Sequence, residues 1–391
     1  MKKVLAERMS LLGTETAFEV LAKAKKLEAQ GKDVVHLEIG EPDFDTPKNI
    51  IDAACHALTS GYTHYTPAPG IPEVRETIAG YIRNHKNVDA SAEDVVIVPG
   101  GKPIMFFSIM ATVNPGDEVI YPNPGFPIYE SVIRFVGGTP IPIPLREENQ
   151  FRLDVNELAQ LITPKTKMLI INSPGNPTGG VLTSEDIKAI ADLVRGKEIL
   201  VLSDEIYDRI VYGDTQPLSI ASLPGMKDWT IILDGFSKTY AMTGWRLGYG
   251  VMHPDLSARI AQLMVNSNSC TSAFTQMAGK EALTGPQHEV ENMVAEFKRR
   301  RDIMVNGLNS IPGVSCLLPE GSFYVFPNFK SFGKDSKEIA DYLLNEGGVA
   351  CLGGTAFGSY GEGYLRFSYA NSVANIQKAL ERIETTLGKI K

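Results

Sequence analysis

"TIILDGFSKTYAMTGWRLGYG", residues 230–250, contains an apolar run from Thr230 to Leu233 that reads as a buried strand and gives way to small residues around a single lysine, Lys238. Short apolar runs that end in Gly, Pro, Asn or Ser recur upstream. They are "DVVIVPGG" (94–101), "DEVIYPNPG" (117–125), "KMLIINSPGNPTGG" (167–180) and "EILVLSDEIY" (198–207). Amphipathic stretches lie between them, such as Ser184 to Arg195, with Ile187, Ile190, Ala191 and Val194 on one face. Strands alternating with helices predict an α/β fold with a mostly parallel central sheet covered on both sides. Ligands of such sheets bind beyond the carboxyl ends of the strands. Those ends collect the special residues here: Gly100, Gly101 and Lys102; Asn123 and Phe126; Asn172 and Asn176; Asp204 and Tyr207; Ser237 and Lys238.

Past about residue 285 the pattern changes to a long helix, "EVENMVAEFKRRRDIMVNGLNS", and shorter α+β elements. The expected division is a large domain over 48–285 and a smaller α+β domain over 286–391, with an N-terminal segment, 1–47, packing against the smaller one. With 391 residues, 43% hydrophobic and 21% charged, the chain has the composition of a soluble globular protein. A net charge of −8 argues against nucleic-acid or acidic-membrane partners, which favour basic surfaces. The N-terminus opens with Lys2 and Lys3, but charges interrupt it before an apolar segment develops, so it does not read as a signal peptide. No apolar run approaches the roughly 20 residues of a membrane span. Cys55, Cys270, Cys316 and Cys351 form no CxxC pair, which suits reduced thiols in the cytoplasm. The six histidines show no metal-ligand spacing, and no metal site is expected.

A lysine is ordinarily a solvated surface residue, but Lys238 follows a buried strand and stands among Gly235, Ser237 and Thr239. Ser237 and Ile232 occupy positions where a phosphate-binding P-loop needs glycine, which excludes that motif. The remaining chemistry of a half-buried lysine is a Schiff base, because desolvation favours the neutral, nucleophilic amine. Asp204, at the end of "ILVLSD", needs a cationic partner such as a ring N–H, unless it or Ser203 caps a following helix. Tyr207 lies one turn further on if that helix forms. "PGGKPIMFF" (99–107) places Gly101, Lys102 and Pro103 at a helix start, where free N–H groups make an anion seat; Ser237 and Arg246 add a hydroxyl and a guanidinium. Asn176 sits in a proline-stiffened loop, facing the site as a hydrogen-bond donor. Arg366, in the strand-like "EGYLRFSYA" (362–370), is either a solvated residue or a planar clamp for a carboxylate.

Together these residues resemble the pyridoxal-phosphate (PLP) enzymes of fold type I, and among them the class I/II, aspartate-aminotransferase-like aminotransferases. The likeness runs in order through "IGEPDFDTP" (39–47), "YTPAPGIPEVRE" (65–76), "NPTGG", "SDEIY", "SKTYAMTGWRLGY" and "GTAFG…GEGYLRFS". It implies that Lys238 holds PLP as a Schiff base. Asp204 then pairs with the ring nitrogen, and Tyr207 and Asn176 with the 3-hydroxyl. Ser237, Arg246 and the amides near Gly101 and Lys102 hold the phosphate, and Phe126 stacks on the ring. Arg366 would clamp the substrate α-carboxylate, with Asn176 and a Gly40 backbone contact beside it. Tyr65 would reach the phosphate of a neighbouring subunit, which implies a homodimer. The implied reaction moves an amino group from an L-amino acid to a 2-oxo acid, with glutamate and 2-oxoglutarate as one pair. A PLP-dependent C–S β-lyase on the same fold is the alternative, and a non-catalytic PLP-binding regulator a more distant one. No second cation for a distal carboxylate stands out, and the polar stretch 265–276 is expected to line the site. Gly353 and Ser322 depart from the family pattern, where proline and alanine are common.

Overall fold

The computed structural model describes residues 4–213 and 216–389. Lys2, Lys3 and the last two residues of the chain lie outside them. Among the described residues the main sheet has seven strands in the spatial order Val95–Val98, Gly248–Val251, Thr230–Gly235, Leu200–Asp204, Thr166–Asn172, Glu118–Asn123, Thr139–Pro144. All are parallel except Gly248–Val251, which runs against both its neighbours. Both faces are covered, so the strands carry no polar alternation: all four residues of Val95–Val98 and all six of Thr230–Gly235 are buried. On one face, helices Lys102–Thr112 and Pro254–Val265 pack through Ile104, Ile109, Ile260 and Met264. Elsewhere, Ser184–Val194 buries Ile187, Ile190, Ala191 and Val194, the four positions its periodicity predicts. Thr183 and Asp186 form a capping box that starts this helix.

The long helix expected after 285 is His288–Ser310. It packs with Val373–Leu387 and with a three-stranded antiparallel sheet ordered Leu352–Gly353, Leu365–Ser368, Tyr324–Val325. Phe297, Phe323, Phe329, Phe367 and Tyr369 fill this second core, together with Val35 and Leu37 from the N-terminal segment. Val35–His36 also pairs in parallel with Val349–Ala350.

The helix allowed for after Asp204 does not form. Glu205 N–H still donates to Leu233 O at 2.9 Å, so sheet pairing continues one residue past the strand. The chain then closes turns, Asp208 N to Glu205 O and Ile210 N to Tyr207 O, and neither Ser203 nor Asp204 caps a helix. Gly353 lies at φ −61°, ψ 140°, angles that proline tolerates. A Cβ there would stand 3.0 Å from Ser336 O, a tight contact that glycine avoids. Ser322 is buried at φ +57° with its hydroxyl unbonded, while its carbonyl accepts the Tyr212 and Tyr369 hydroxyls.

Candidate active site

The parallel strands present their carboxyl ends to one cavity of about 880 Å³ between the main sheet and the second core. Gly40, Gly101, Lys102, Phe126, Asn176, Asp204, Tyr207, Ser237, Lys238, Arg246 and Arg366 all line it. Tyr65 does not; its side chain is 90% exposed on the outer surface. The stretch 265–276 also stays off the cavity wall of its own chain. Its anchor, Gln276, is fully buried and binds Ile71 N, Thr271 O and Thr66 Oγ1 instead.

Lys238 projects from the loop after Thr230–Gly235, and its Nζ donates to Gly40 O at 2.5 Å. Phe323 and Tyr207 flank the amine, with ring centroids at 5.7 and 6.0 Å. Burial brings the ammonium down to about 8, with Glu41 pulling the other way, so a share of the amine is neutral near neutral pH. Asp204 is 7% exposed. Its Oδ2 accepts from Tyr129 Oη at 2.5 Å and its Oδ1 from Ile206 N at 3.3 Å. Burial pushes the carboxyl up to about 6 despite those donors. Tyr207 exchanges a hydrogen bond with Tyr324 Oη at 2.9 Å, and burial pushes its hydroxyl well up.

Arg366 is buried, not solvated. Nη2 donates to Glu38 O at 2.5 Å and Nη1 to Asn176 Oδ1 at 3.1 Å, while Nε has no partner among the described residues. Tyr324 and Phe357 sandwich the guanidinium at 4.5 and 4.9 Å. Burial lowers its pKa from the ordinary arginine value. Asn176 N in turn donates to Asn172 Oδ1 at 2.9 Å. At the sheet's other flank, Lys102 opens the helix Lys102–Thr112, with Pro103 in its first turn. Its Nζ pairs with Glu15 and lies 5.5 Å from the Phe126 ring centroid. Arg246, at the exposed rim, donates to Thr243 O and rests against Gly100. Gly100 is at φ +84°, and a Cβ there would collide with the guanidinium.

Among the described residues no ion pair engages Lys238, Asp204 or Arg366. A buried carboxylate, a buried guanidinium and a glycine cradle beside an arginine therefore line one cavity, and among the described residues no ion pair neutralises the first two. This donor set fits PLP: a cationic ring nitrogen for Asp204, an aldehyde carbon for Lys238, and a phosphate for the Gly100–Lys102 turn and Arg246. The sequence does not single out Tyr129, Tyr324 or Glu38. Tyr129 and Tyr324 lie in apolar runs and look like core; Glu38 takes part through its carbonyl, which no side-chain pattern signals.

The model of the family described as aminotransferase class I and II matches residues 32–383. An aspartate aminotransferase of Pyrococcus abyssi is 41% identical over 370 residues, 94% of this chain and 95% of the relative. Two solved structures superpose closely. The aromatic aminotransferase of Pyrococcus horikoshii gives a TM-score of 0.90 at 40% identity, covering 94% of this chain and 99% of that one. The aspartate aminotransferase of Thermus thermophilus, solved with maleate, gives 0.94 at 36% identity, covering 98% and 99%. The chain belongs to the class I and II aminotransferase family and is a PLP-dependent aminotransferase.

Proposed function

We propose that this aminotransferase moves the amino group of an L-amino acid to a 2-oxo acid through the residues gathered at the cavity. Glutamate and 2-oxoglutarate form one pair, and aspartate or another amino acid supplies the other. The observation that carries this reading is the convergence of half-buried Lys238 with buried Asp204 and Arg366 on one cavity, none of them in an ion pair among the described residues.

Lys238 would hold PLP, with Asp204 on its ring nitrogen, Tyr207 and Asn176 on its 3-hydroxyl, and Phe126 against its face. Ser237, Arg246 and the Gly101 and Lys102 amides would hold its phosphate. Bound there, the cofactor supplies the electron sink that lets an α-proton and an amino group leave the substrate. Arg366 would grip the α-carboxylate through its guanidinium end at Nη1, beside Asn176 and the Gly40 backbone, and so fix which Cα bond faces the lysine. Lys238 Nζ, neutral in part because it is buried, takes the proton from Cα; positioned transfer of this kind is worth roughly 10²–10⁴-fold. Asp204 stays anionic by gaining the cation that its burial demands. Lys102 is a second cation on the wall, which supports an acidic donor such as aspartate, provided that the donor's distal carboxylate displaces Glu15.

The N-terminal segment 1–47, the large domain 48–285 and the smaller domain 286–391 would then enclose the substrate between them. The Val35–His36 pairing with Val349–Ala350 supports that division. Exposed Tyr65 supports a homodimer in which it reaches the partner's phosphate. Light scattering should find a dimer, and a fully active monomer would refute it. Four free cysteines support a reducing, cytoplasmic setting. Among the described residues no helix is long and apolar enough to cross a membrane.

The test is the visible absorbance of the PLP-loaded protein before and after L-glutamate, then an amino-acid panel, with no acceptor present. Conversion of the band to that of pyridoxamine phosphate supports the reading and ranks the donors. An unchanged band, with pyruvate released from cystathionine, assigns the lyase chemistry instead.

A further inference from the structure

Behind the strands that carry the cavity residues lies a second cluster of buried charge, outside the cavity wall. Lys86 ends the helix Pro72–Lys86, and its side chain is 5% exposed. Its Nζ contacts Glu205 Oε2 at 2.8 Å, Asp234 Oδ2 at 3.1 Å and the Asp208 carboxylate. Each carboxylate belongs to a segment that also serves the cavity. Glu205 follows Asp204 and points the opposite way, as alternation along an extended chain requires. Asp208 follows Tyr207. Asp234 lies four residues before Lys238, and its Oδ1 accepts Gly235 N at 2.7 Å. The cluster is closed by Ser203 and Ser219 hydroxyls on Glu205 Oε1 at 2.8 and 2.7 Å, and by Tyr249 Oη on Asp234 Oδ2 at 2.9 Å.

We propose that Lys86 is a positioning residue for the transamination reaction: its one ammonium ties the strand end at Asp204, the turn at Tyr207 and the strand leading to Lys238 into a fixed mutual geometry. This rests on the roles proposed above for those three residues. The turn from Ile206 to Asp208 has no helix to stiffen it, and Phe236 to Lys238 lies beyond its strand, so each is anchored by the sheet at one end only. A shared ion holds both from the side away from the ligand. Misplacing a reacting group by about 1 Å costs on the order of 10²-fold in rate, which sets the scale of what the tie protects.

The test uses the PLP-loaded enzyme and two variants, Lys86→Met and Asp208→Asn, which change the buried charge in opposite directions. Borohydride reduction and peptide mapping first establish that the parent protein and both variants carry the cofactor on Lys238. If the parent does not, the cavity assignment fails and this proposal fails with it. With the cofactor so placed, single-turnover reaction with L-glutamate should slow by about tenfold or more in both variants, while the half-saturating glutamate concentration stays within about threefold. The cofactor band should also titrate at a shifted pH in each. Parent-like rates and titrations with only a lowered melting temperature would make Lys86 purely structural and overturn the proposal. Rate changes of opposite sign would show a charge effect without positioning, and overturn it equally. Should Lys86→Met fail to fold, Asp208→Asn decides on its own rate and titration, since it leaves Lys86 paired with Glu205 and Asp234.

Discussion

Two buried charge clusters lie back to back across one set of strands, and they are finished differently. Around Lys86 the ammonium meets three carboxylates, and Ser203, Ser219 and Tyr249 hydroxyls close the remaining contacts on two of them. Around Lys238 the charges stand apart: Lys238 on a carbonyl, Asp204 on a tyrosine, Arg366 on a carbonyl and an amide with one N–H unused. A completed cluster is scaffolding, because it has nothing left to offer a ligand. An incomplete one costs stability that a bound ligand returns. The pKa directions follow the same division: Lys86 is held well above its ordinary value by its carboxylates, whereas burial without an ion pair drags Lys238 down to about 8.

The contrast is most exposed at Lys238. Lys238→Ala should abolish the bound-cofactor absorbance and lower turnover by at least about 10²–10⁴-fold; retention of either, measured by spectrum and coupled assay, would break the assignment. At Asp204 the expected effects on stability and function have opposite signs. The folded protein binds this proton up to about pH 6, whereas an unfolded aspartate releases it near pH 4. Cofactor-free stability therefore falls as pH rises from about 4 to about 6 and stays low above that, by about 3 kcal/mol at most. Asp204→Asn should raise the melting temperature of the cofactor-free protein at pH 7 and weaken PLP binding. A lower melting temperature there would mean that the carboxylate is already compensated.

Arg366→Ala should leave the cofactor bound and raise the amino-acid KM by about 10–100-fold, the worth of one or two charge-assisted hydrogen bonds. An unchanged KM in steady-state assays would remove the clamp. The smallest effect is expected at His36, whose ring lies between Glu38 Oε1 at 2.8 Å and Glu28 Oε1 at 3.0 Å. Burial opposes protonation there, but the two carboxylates outweigh it and raise the pKa. The stabilisation is present in full below about pH 6.5 and is lost as pH rises through the higher folded value. His36→Gln should thus cost about 1–2 °C of melting temperature at pH 5.5 and nothing at pH 9, by differential scanning fluorimetry. An equal loss at both would exclude protonation as its cause.

Sequence patterns reveal one cluster far better than the other. Lys238, Asp204 and Arg366 announce themselves because each breaks a local rule: a lysine among small residues, a carboxylate ending an apolar strand, an arginine inside a strand. The alternation of apolar runs and amphipathic helices likewise makes the parallel sheet legible, and Ser184–Val194 buries the face its spacing predicts. Lys86 breaks no rule, since a lysine in the last turn of a helix is an ordinary feature. Its burial depends on carboxylates that lie more than a hundred residues further along the chain. Tyr129 and Tyr324 are hidden for the same reason: their hydroxyls acquire meaning only when Asp204 and Tyr207 arrive from elsewhere in the chain. The turn at Tyr207 could not be read either, because the ladder contact from Glu205 to Leu233 decides it.

The most direct test of the central claim, that the incomplete cluster is the seat of PLP, is to reduce the loaded enzyme with borohydride and locate the modified lysine by peptide mass spectrometry. The account predicts a pyridoxyl group on the peptide containing Lys238, absent from Lys238→Ala. A pyridoxyl group on Lys102 or Lys86, or none on any peptide from active enzyme, would contradict it.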